Sequence, residues 1–236
     1  MISGKKVLMI TGTSRGIGLG IAKFFASKGY IVAGCGRSSS EIQLDNYDYS
    51  IVDVGIETQV RSWIRSIKNK YGRIDVLICN AGLVESSLLM TMTSTNILDA
   101  FINTHLRGTF ITCREASKVM IQQKNGRIIT ISSLSVPLHL EGTSAYTATK
   151  SAVVDMTKVL AKELARLGIT CNTIGPGLIR TEATKEFGSK WEEELLEQQT
   201  IKTLVTVEEL CNVISFFIAP ESRCITGQEI NMCLVK

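Results

Sequence analysis

Short runs of apolar residues, many of them β-branched, alternate with longer amphipathic stretches along the chain. The short runs are KKVLMIT, YIVAGC, YSIVDV, RIDVLIC, GRIITIS, GITCNTI and ITGQEINM. Between them, apolar residues recur at helical spacing from Ile17 to Lys28, from about Glu57 to Lys70, and over residues 94–123, 144–166, 188–199 and 206–218. Runs that are apolar at nearly every position are typical of parallel strands covered on both faces. The alternation therefore predicts a doubly wound α/β fold, with helices on both faces of a parallel sheet.

The pattern shows no point at which the chain divides into two domains. Of its 236 residues, 44% are hydrophobic, which is enough for a substantial core. There are only three prolines, and no glycine- or serine-rich linker interrupts the alternation. We predict that residues 1–236 form a single Rossmann-type domain.

Charge and cysteine content narrow the class of protein. The net charge of +4 and sequence pI near 8.7 come from basic residues scattered among acids, so nucleic acid is not an expected partner. The seven cysteines form no C-x-x-C pair and several lie in apolar runs, which is typical of reduced, buried thiols in the cytoplasm. The first residues have too short an apolar run for a secretion signal, and no stretch approaches the roughly 18 apolar residues of a membrane span. A soluble, cytoplasmic protein without a metal site is expected.

A glycine-rich turn, TGTSRGIG, follows the first predicted strand and opens the first predicted helix. Its glycines, Gly12, Gly16 and Gly18, would permit a tight turn and a close approach of the backbone to a ligand. Free N–H groups and the dipole at the start of a helix attract a pyrophosphate. No Gly-Lys-Ser/Thr sequence follows, so a P-loop is excluded. The turn favours dinucleotide binding, with Ser14, Arg15 and Ile17 as further contacts.

Two other interpretations of the turn remain open. One is a connector without a ligand. The other is the nucleophile elbow of a serine hydrolase, because residues 12–16 also satisfy G-x-S-x-G. An elbow needs an oxyanion loop from an earlier strand and a later histidine, yet no earlier strand is predicted and only His105 and His139 are present. Dinucleotide binding remains the favoured interpretation.

The residues after the second predicted strand select the dinucleotide. A carboxylate about 20 residues beyond the turn would bind the ribose hydroxyls of NAD, whereas a basic residue would accommodate the phosphate of NADP. The sequence here is GCGRSSS, with Gly36 at the expected acid position, followed by Arg37 and Ser38. An arginine fork suits a phosphate, and Arg15 would converge from the glycine turn. NADP(H) is expected rather than NAD(H), unless Arg37 is only a solvated loop charge.

Tyr146 and Lys150 lie four residues apart in SAYTATK, inside a predicted helix. Side chains at this spacing share a helix face. A free phenol has a pKa near ~10, which is too high for proton exchange at neutral pH. A cation about 4 Å away, at an effective dielectric near 20, would lower that pKa to about 7. The pair therefore predicts a tyrosine that works as a general acid and base.

Several motifs, in their order and spacing, resemble those of the short-chain dehydrogenase/reductase family, in particular its 3-oxoacyl-carrier-protein reductases. They cover nearly the whole chain and comprise TGTSRGIG, Asp53, Asn80-Ala81-Gly82, Ser133, the Tyr146-x-x-x-Lys150 pair, and Pro176-Gly177 followed by Thr181. Independently of the family, Asn80, Ser133 and Pro176 each end a predicted strand. That edge is where doubly wound sheets bind ligands.

The resemblance implies hydride transfer between NADP(H) and a ketone or secondary alcohol. Tyr146 would exchange the proton of the substrate oxygen, Ser133 would polarise that oxygen, and Lys150 would lower the tyrosine pKa and hold the nicotinamide ribose. The remaining cofactor contacts implied are Asp53 and Val54 near the adenine, residues 80–82 along the cofactor, and Pro176, Gly177, Ile179 and Thr181 near the carboxamide. For Ser133 and Thr181 the alternative is a simple cap at the end of a strand or the start of a helix.

The chain departs from the family pattern at several positions. His105, in NTHLRGTF, replaces an asparagine that helps to bind a water in the proton relay, so it either keeps the relay or is a tolerated replacement. Cys79 replaces the first asparagine of NNAG, and NMCLVK lacks the usual glycine pair. Of two arginines that contact a carrier protein in relatives, Arg127 matches one. Leu167 stands at the other position, with Arg166 one place away, so docking of a carrier protein stays an open question.

Substrate walls are expected in residues 84–89 (VESSLL), 134–142 (LSVPLHLEG) and 182–204. The last segment carries Phe187, Trp191, Leu195 and Leu196 at helical spacing, and would be either a mobile lid or an ordinary surface helix. Four apolar side chains in 134–142 predict a pocket for a moderately hydrophobic ketone or hydroxy compound, with an acyl thioester as one option: Leu134, Val136, Leu138 and Leu140.

A homotetramer or homodimer is expected through the helices at 94–123 and 144–166. The second helix has more apolar residues than one core face needs: Ala152, Val153, Met156, Val159 and Leu160. A non-catalytic role as an NADP(H)-binding sensor or scaffold is the alternative to an enzyme.

Overall fold

Seven parallel strands form one sheet in the computed structural model, which describes residues 4–39, 44–84, 88–185 and 188–235. The strands are β1 (Val7–Thr11), β2 (Ile31–Gly36), β3 (Tyr47–Ile51), β4 (Val76–Cys79), β5 (Gly126–Ile131), β6 (Ile169–Gly175) and β7 (Glu229–Asn231). Their order is β3-β2-β1-β4-β5-β6-β7, so the direction of winding reverses between β1 and β4. In sheets of this kind, a crevice for ligands opens above that reversal. The predicted doubly wound fold is confirmed.

Helices cover both faces of the sheet. They are α1 (Gly16–Ser27), α2 (Glu57–Tyr71), α3 (Thr95–Phe101), α4 (Gly108–Gln123), α5 (Ser135–Leu138), α6 (Ser144–Leu164), α7 (Glu182–Lys185), α8 (Ser189–Gln198) and α9 (Val207–Ile218). One core cluster lies between the sheet and α2, α4 and α6, and a second lies between the sheet and α1 and α9. Short 3₁₀ turns occupy Met90–Met92, Ala165–Leu167 and Pro220–Ser222.

The third strand differs from its prediction. The apolar run at residues 49–54 was expected to be the strand, but β3 spans Tyr47–Ile51 and is only half-buried. It is an edge strand that pairs with β2 alone, so one of its faces and one of its edges stay partly exposed. Val52 and Val54 are buried as part of the loop that follows, which explains why periodicity alone placed them in the strand.

The long helix expected over 94–123 is interrupted. Between α3 and α4, residues Ile102–Arg107 form a π-helical segment that contains His105. Such segments are rare and occur often at functional sites. The one-turn helices α5 and α7 were not predicted, because helices this short leave too little periodicity to detect.

The cysteines are free thiols, and five of the seven are buried. The exposed Cys224 is an exception to the expectation of buried thiols. None of the described helices has both the length and the apolar character needed to cross a membrane. Within the same ranges, His, Cys, Asp and Glu side chains form no cluster of three or more that would hold a metal ion.

Candidate active site

A cleft with a volume of about 980 Å³ opens at the carboxyl ends of the strands, above the reversal between β1 and β4. It is lined by every residue predicted to be catalytic or to bind the cofactor, apart from His105. These are Gly12, Ser14, Arg15, Gly16, Ile17, Gly18, Arg37, Ser38, Asp53, Val54, Asn80, Ala81, Gly82, Ser133, Tyr146, Lys150, Pro176, Gly177, Ile179 and Thr181.

The glycine turn is too crowded for any larger residue at two positions. A Cβ on Gly12, whose φ is +76°, would lie 2.8 Å from the Ala81 Cα, and one on Gly18 would lie 2.0 Å from the Gly12 carbonyl oxygen. Helix α1 begins directly after the turn at Gly16, without a side-chain cap from Arg15. The first N–H groups of the helix therefore lie at the cleft without a side-chain acceptor at the cap, as an anion-binding helix start requires.

Asn80 ties the end of β4 to the glycine turn. Its side-chain amide donates to the carbonyl oxygens of Thr11 and Gly12, at 3.0 and 3.1 Å. The Thr11 hydroxyl accepts the backbone N–H groups of Asn80 and Ala81, each at 3.0 Å. Thr11 was not singled out from the sequence, although its place at the end of the first strand was a usable signal. These bonds fix the end of β4 against the end of β1 and the glycine turn.

Two arginines stand where the sequence analysis placed a phosphate site. Arg15 and Arg37 are exposed side chains at the cleft, and neither forms a salt bridge with any described residue. At Gly36, an added Cβ would lie 2.6 Å from the hydroxyl of Tyr49, which donates to the Ser38 carbonyl oxygen at 2.6 Å. An acidic side chain therefore does not fit at position 36 without displacing Tyr49.

Ser133, Tyr146 and Lys150 come together at one wall of the cleft. Helix α6 carries Tyr146 and Lys150 one turn apart, and the Lys150 Nζ lies 5.8 Å from the centre of the tyrosine ring. The Lys150 ammonium is buried and donates to the carbonyl oxygen of Ile131 at 3.0 Å. Ser133 follows β5, so a sheet edge and a helix together position the group.

Ser135 determines which way the Ser133 hydroxyl can donate. Both the backbone N–H and the hydroxyl of Ser135 donate to the Ser133 Oγ, at 3.1 Å each. A serine oxygen has two lone pairs and one proton. Because both lone pairs are used, the Ser133 proton is left to donate elsewhere. Ser135 is buried and was missed in the sequence, where ISSLS gives no sign of this arrangement.

Burial dominates the electrostatics of the tyrosine and the lysine. Burial raises the pKa of Tyr146, and a hydrogen bond from Ser133 acts in the opposite direction. Burial lowers the pKa of Lys150 to about 8. The sequence argument expected the cation to lower the tyrosine pKa, but in this structure removal from water raises that pKa, and the opposing contribution comes from Ser133. At neutral pH the tyrosine therefore keeps its proton, while the lysine is still mainly charged but loses its proton more readily than a free amine.

His105 is buried behind this wall, with 1% of its surface exposed, and does not line the cleft. Its Nε2 accepts the backbone N–H of Leu83 at 2.9 Å, and its Nδ1 lies 3.0 Å from the Thr149 hydroxyl. Neither this imidazole nor His139, whose Nδ1 lies 3.2 Å from the Pro137 carbonyl oxygen, is hydrogen-bonded to Ser14. Ser14 thus lacks the base that a hydrolase elbow needs.

Comparison with known proteins was made against this geometry. Residues 12–233 match a family model described as enoyl-(acyl carrier protein) reductase. The chain is also 32% identical over 238 residues to the 3-oxoacyl-[acyl-carrier-protein] reductase FabG of Staphylococcus epidermidis, with 96% of this chain and 97% of the relative covered. The chain belongs to the short-chain dehydrogenase/reductase family. It is therefore an oxidoreductase, and the resemblance noted in the sequence is confirmed.

Solved structures of other family members have the same architecture. The structure of ElxO with NADP bound has a TM-score of 0.89 at 32% identity and covers 97% of both chains. A variant of actinorhodin polyketide ketoreductase with NADPH also has a TM-score of 0.89, at 26% identity, over 97% of this chain and 96% of that chain.

An apolar cluster lies at one side of the cleft, where the sequence analysis expected the substrate walls. Leu134, Leu178 and Leu195 are buried together, and six partly buried side chains pack against them: Leu138, Leu140, Trp191, Leu196, Leu204 and Leu234. The expected contributions of Phe187 and of residues 85–87 lie outside the described residues. Gln199, another residue missed in the sequence, is buried and accepts the Leu178 N–H at 2.7 Å, which attaches the end of α8 to the cleft wall.

Arg127 lies away from the cleft. It is the second residue of β5, at the amino end of the strand, and only 9% of its surface is exposed. One guanidinium N–H group donates to the Gly126 carbonyl oxygen at 2.9 Å, and burial lowers the pKa of the side chain. Arg127 matches an arginine that contacts the carrier protein in relatives, but in this chain its side chain is buried.

Proposed function

We propose that this protein is an NADPH-dependent ketoreductase, which interconverts a ketone and a secondary alcohol. The arrangement of Ser133, Tyr146 and Lys150 around one point of the cleft carries the proposal. The substrate would be a moderately hydrophobic carbonyl compound, such as a 3-oxoacyl thioester. The names of the relatives, 3-oxoacyl reductase and polyketide ketoreductase, support this class of substrate.

The residues present fit NADP(H). The crowded glycines bring the backbone close to a pyrophosphate, and the open start of α1 supplies N–H donors to it. Arg37, Arg15 and Ser38 supply the charge and donors that the 2′-phosphate needs, while the Tyr49 hydroxyl occupies the space of an NAD-selecting acid. When bound, the nicotinamide supplies the hydride for the carbonyl carbon. Structures of ElxO with NADP and of actinorhodin ketoreductase with NADPH support the same choice.

Three side chains would carry out proton transfer and charge stabilisation at the substrate oxygen. Tyr146 keeps its proton at neutral pH, because burial raises its pKa, so it is ready to donate that proton to the oxygen of a reduced carbonyl. Ser133, with both lone pairs occupied, donates a hydrogen bond to the same oxygen and stabilises the charge that develops there. Lys150 contributes its positive charge below a pH of about 8, which favours the phenolate left after the proton transfer.

The test is a substrate panel with the purified protein and either NADPH or NADH. The panel contains 3-oxoacyl thioesters, simple ketones, secondary alcohols and 2-enoyl thioesters, the last because the matching family model is described as an enoyl reductase. We expect reduction of ketones with a preference for NADPH. Preferred turnover of 2-enoyl thioesters would refute the ketoreductase assignment.

Tyr146→Phe removes the proton donor and leaves the ring. We expect turnover to fall by about a thousandfold, within the range of general acid catalysis, while the Kd for NADPH stays within about twofold. Tyr30→Phe, at the amino edge of the sheet beside Phe25, is the matched control and should behave as the wild type. NADPH binding without turnover of any panel member would favour the alternative of a sensor or scaffold.

We also propose that the protein forms a homodimer or homotetramer. The apolar side chains of α4 and α6 that remain exposed, above all Phe110 and Val159, would lie in the contact between subunits. Val153 does not belong to this set, since it is buried within its own chain.

A further inference from the structure

His105 contacts two elements that both contribute residues to the lining of the cleft. One is the loop after β4, where Leu83 lines the cleft, and the other is α6, which carries Tyr146. The imidazole ring stacks on Phe101, with centroids 5.1 Å apart and an interplanar angle of 15°. It meets the Tyr146 ring edge-on, at 5.3 Å and 89°. The imidazole is thus in direct contact with the tyrosine ring from its buried side.

The hydrogen bonds of the imidazole determine its tautomer. A backbone N–H can only donate, so the bond from Leu83 means that Nε2 carries no proton. In a neutral imidazole the proton is then on Nδ1, which donates to the Thr149 Oγ1. The Thr149 hydroxyl donates in turn to the Tyr146 carbonyl oxygen at 2.8 Å. The result is one directed series of hydrogen bonds from Leu83 through His105 and Thr149 to Tyr146.

The electrostatic surroundings keep this arrangement uncharged. Burial lowers the pKa of His105 to about 3, and the nearby Lys150 adds to the effect, while the bond with Leu83 opposes it. Lys150 and Tyr146, both on α6, are the titratable groups that face the ring among the described residues. Both ring nitrogens already have partners, so the imidazole would have to break a bond before it could pass a proton to Lys150.

We propose that His105 is a positioning residue, which clamps the loop at Leu83 to helix α6 and so holds the Tyr146 ring opposite the substrate. The inference rests on the proposed function of the cleft. It gives the imidazole no part in proton transfer.

Variants at Thr149 test the clamp without altering a residue that lines the cleft. Thr149→Val removes the acceptor of the Nδ1 proton and keeps the shape, so kcat should fall about tenfold. Thr149→Ser restores the hydroxyl and should return kcat to within about twofold of the wild type. The matched control is Thr112→Val, a buried helical threonine whose hydroxyl donates to the Gly108 carbonyl oxygen at 2.7 Å. In all three variants the Kd for NADPH should stay within about twofold.

Variants at His105 separate its two bonds. The amide of His105→Asn can reach Thr149 but is too short for Leu83, whereas that of His105→Gln can reach Leu83. Each should retain turnover at about a tenth of the wild-type rate, and the upper limit of the pH range for activity should not move. A proton carrier would instead lose turnover in both variants, and that result would overturn the proposal. Equal rates for Thr149→Val and Thr112→Val would also overturn it.

A spectroscopic measurement tests the clamp independently of turnover. With ¹⁵N-labelled histidine, the NMR spectrum of the intact protein should show one imidazole as the neutral Nδ1–H tautomer from pH 5 to pH 8. Thr149→Val should change that signal, and Thr112→Val should not. An Nε2–H tautomer or an imidazolium at pH 6 would refute the clamp. If the panel shows no ketone reduction but this signal is present, the proposed function fails and the positioning of Tyr146 by His105 still stands.

Discussion

At the scale of single residues, Lys150 shows both what the burial of a charged amine costs in stability and how that burial changes its chemistry. Burial lowers its pKa from 10.5 to about 8, and one hydrogen bond to Ile131 only partly replaces the lost hydration. An active site that needs a charged amine in a buried position commonly costs stability. The Lys150 ammonium should therefore be a measurable source of instability in this protein.

Lys150→Met should make the protein more stable and inactive. The lowered pKa means that burial of the charged lysine destabilises the folded protein by about 3 kcal/mol. The variant removes this penalty but also loses the hydrogen bond to Ile131, which stabilises the fold by about 1 kcal/mol. We expect a net gain of about 2 kcal/mol at pH 7, measured by urea unfolding without nucleotide. The pKa of Lys150 is lower in the folded protein than in the unfolded chain, so the loss of stability caused by the charged lysine is complete below pH 8 and decreases as the pH rises towards 10.5. The gain in stability from Lys150→Met should therefore be smaller at pH 9.5 than at pH 7. A gain unchanged at pH 9.5 would contradict this explanation.

Arg37 should decide between the two nicotinamide cofactors. Loss of a charge-assisted hydrogen bond to the 2′-phosphate should raise the Kd for NADPH about tenfold or more in Arg37→Ala. The Kd for NADH should change less than about twofold, since that cofactor has no such phosphate. Arg223→Ala, an exposed arginine far from the cleft, is the control. Equal weakening of both cofactors, measured by calorimetry, would show that Arg37 does not contact the phosphate.

At the scale of elements, the segment around α8 is attached to the cleft at two points. Gln199 holds its end through Leu178, and the Arg180 guanidinium forms a two-pronged ion pair with Glu192, whose Nε–Oε2 distance is 2.9 Å. Trp191 and Leu195, on the same helix, line the cleft. The ion pair therefore joins the loop after β6 to a helix that lines the cleft.

Breaking the Arg180–Glu192 pair should loosen substrate binding without affecting the cofactor. Arg180→Gln and Glu192→Gln should each raise KM about threefold, since exposed pairs contribute little. The double variant should be no worse than either single one, because both remove the same bond. The Kd for NADPH should not change. Additive effects in this double-mutant cycle would mean that the two residues act separately.

Most of these elements were predictable from periodicity, and the exceptions share a cause. Helices α1, α2, α6, α8 and α9 begin and end within a few residues of their predicted bounds. The π-helical turn at Ile102–Arg107 was not predicted, and it contains His105, whose hydrogen-bond partners come from other segments of the fold. The early end of β3 likewise depends on its position at the edge of the sheet.

At the scale of the whole molecule, α2, α4 and α6 form one layer and leave apolar side chains on its outer surface. Phe110 on α4 is 50% exposed and Val159 on α6 is 56% exposed. Side chains of this kind, on neighbouring helices of one layer, favour self-association.

Charges on α4 and α6 should separate the subunits. We expect sedimentation of the wild type as a dimer or tetramer, and a smaller species for Phe110→Asp combined with Val159→Asp, because the new carboxylates would be buried without partners. Ile56→Asp is the control, since Ile56 is exposed at the start of α2, where an aspartate suits a helix cap. A monomeric wild type, or an unchanged double variant, would exclude the outer surface of α4 and α6 as the interface.

The amino-acid sequence alone determined the doubly wound fold, the family and the residues that surround the cleft, because periodicity and motif order are local properties of the chain. The tertiary structure decided what those residues can do: the crowding of Gly36 by Tyr49, the role of the Ser133 hydroxyl as a donor, and the raised pKa of Tyr146. It also decided the state of His105, whose partners are 22 and 44 positions away along the chain. Hydrogen-bond partners and loss of water depend on which distant segments meet, and no local pattern carries that information.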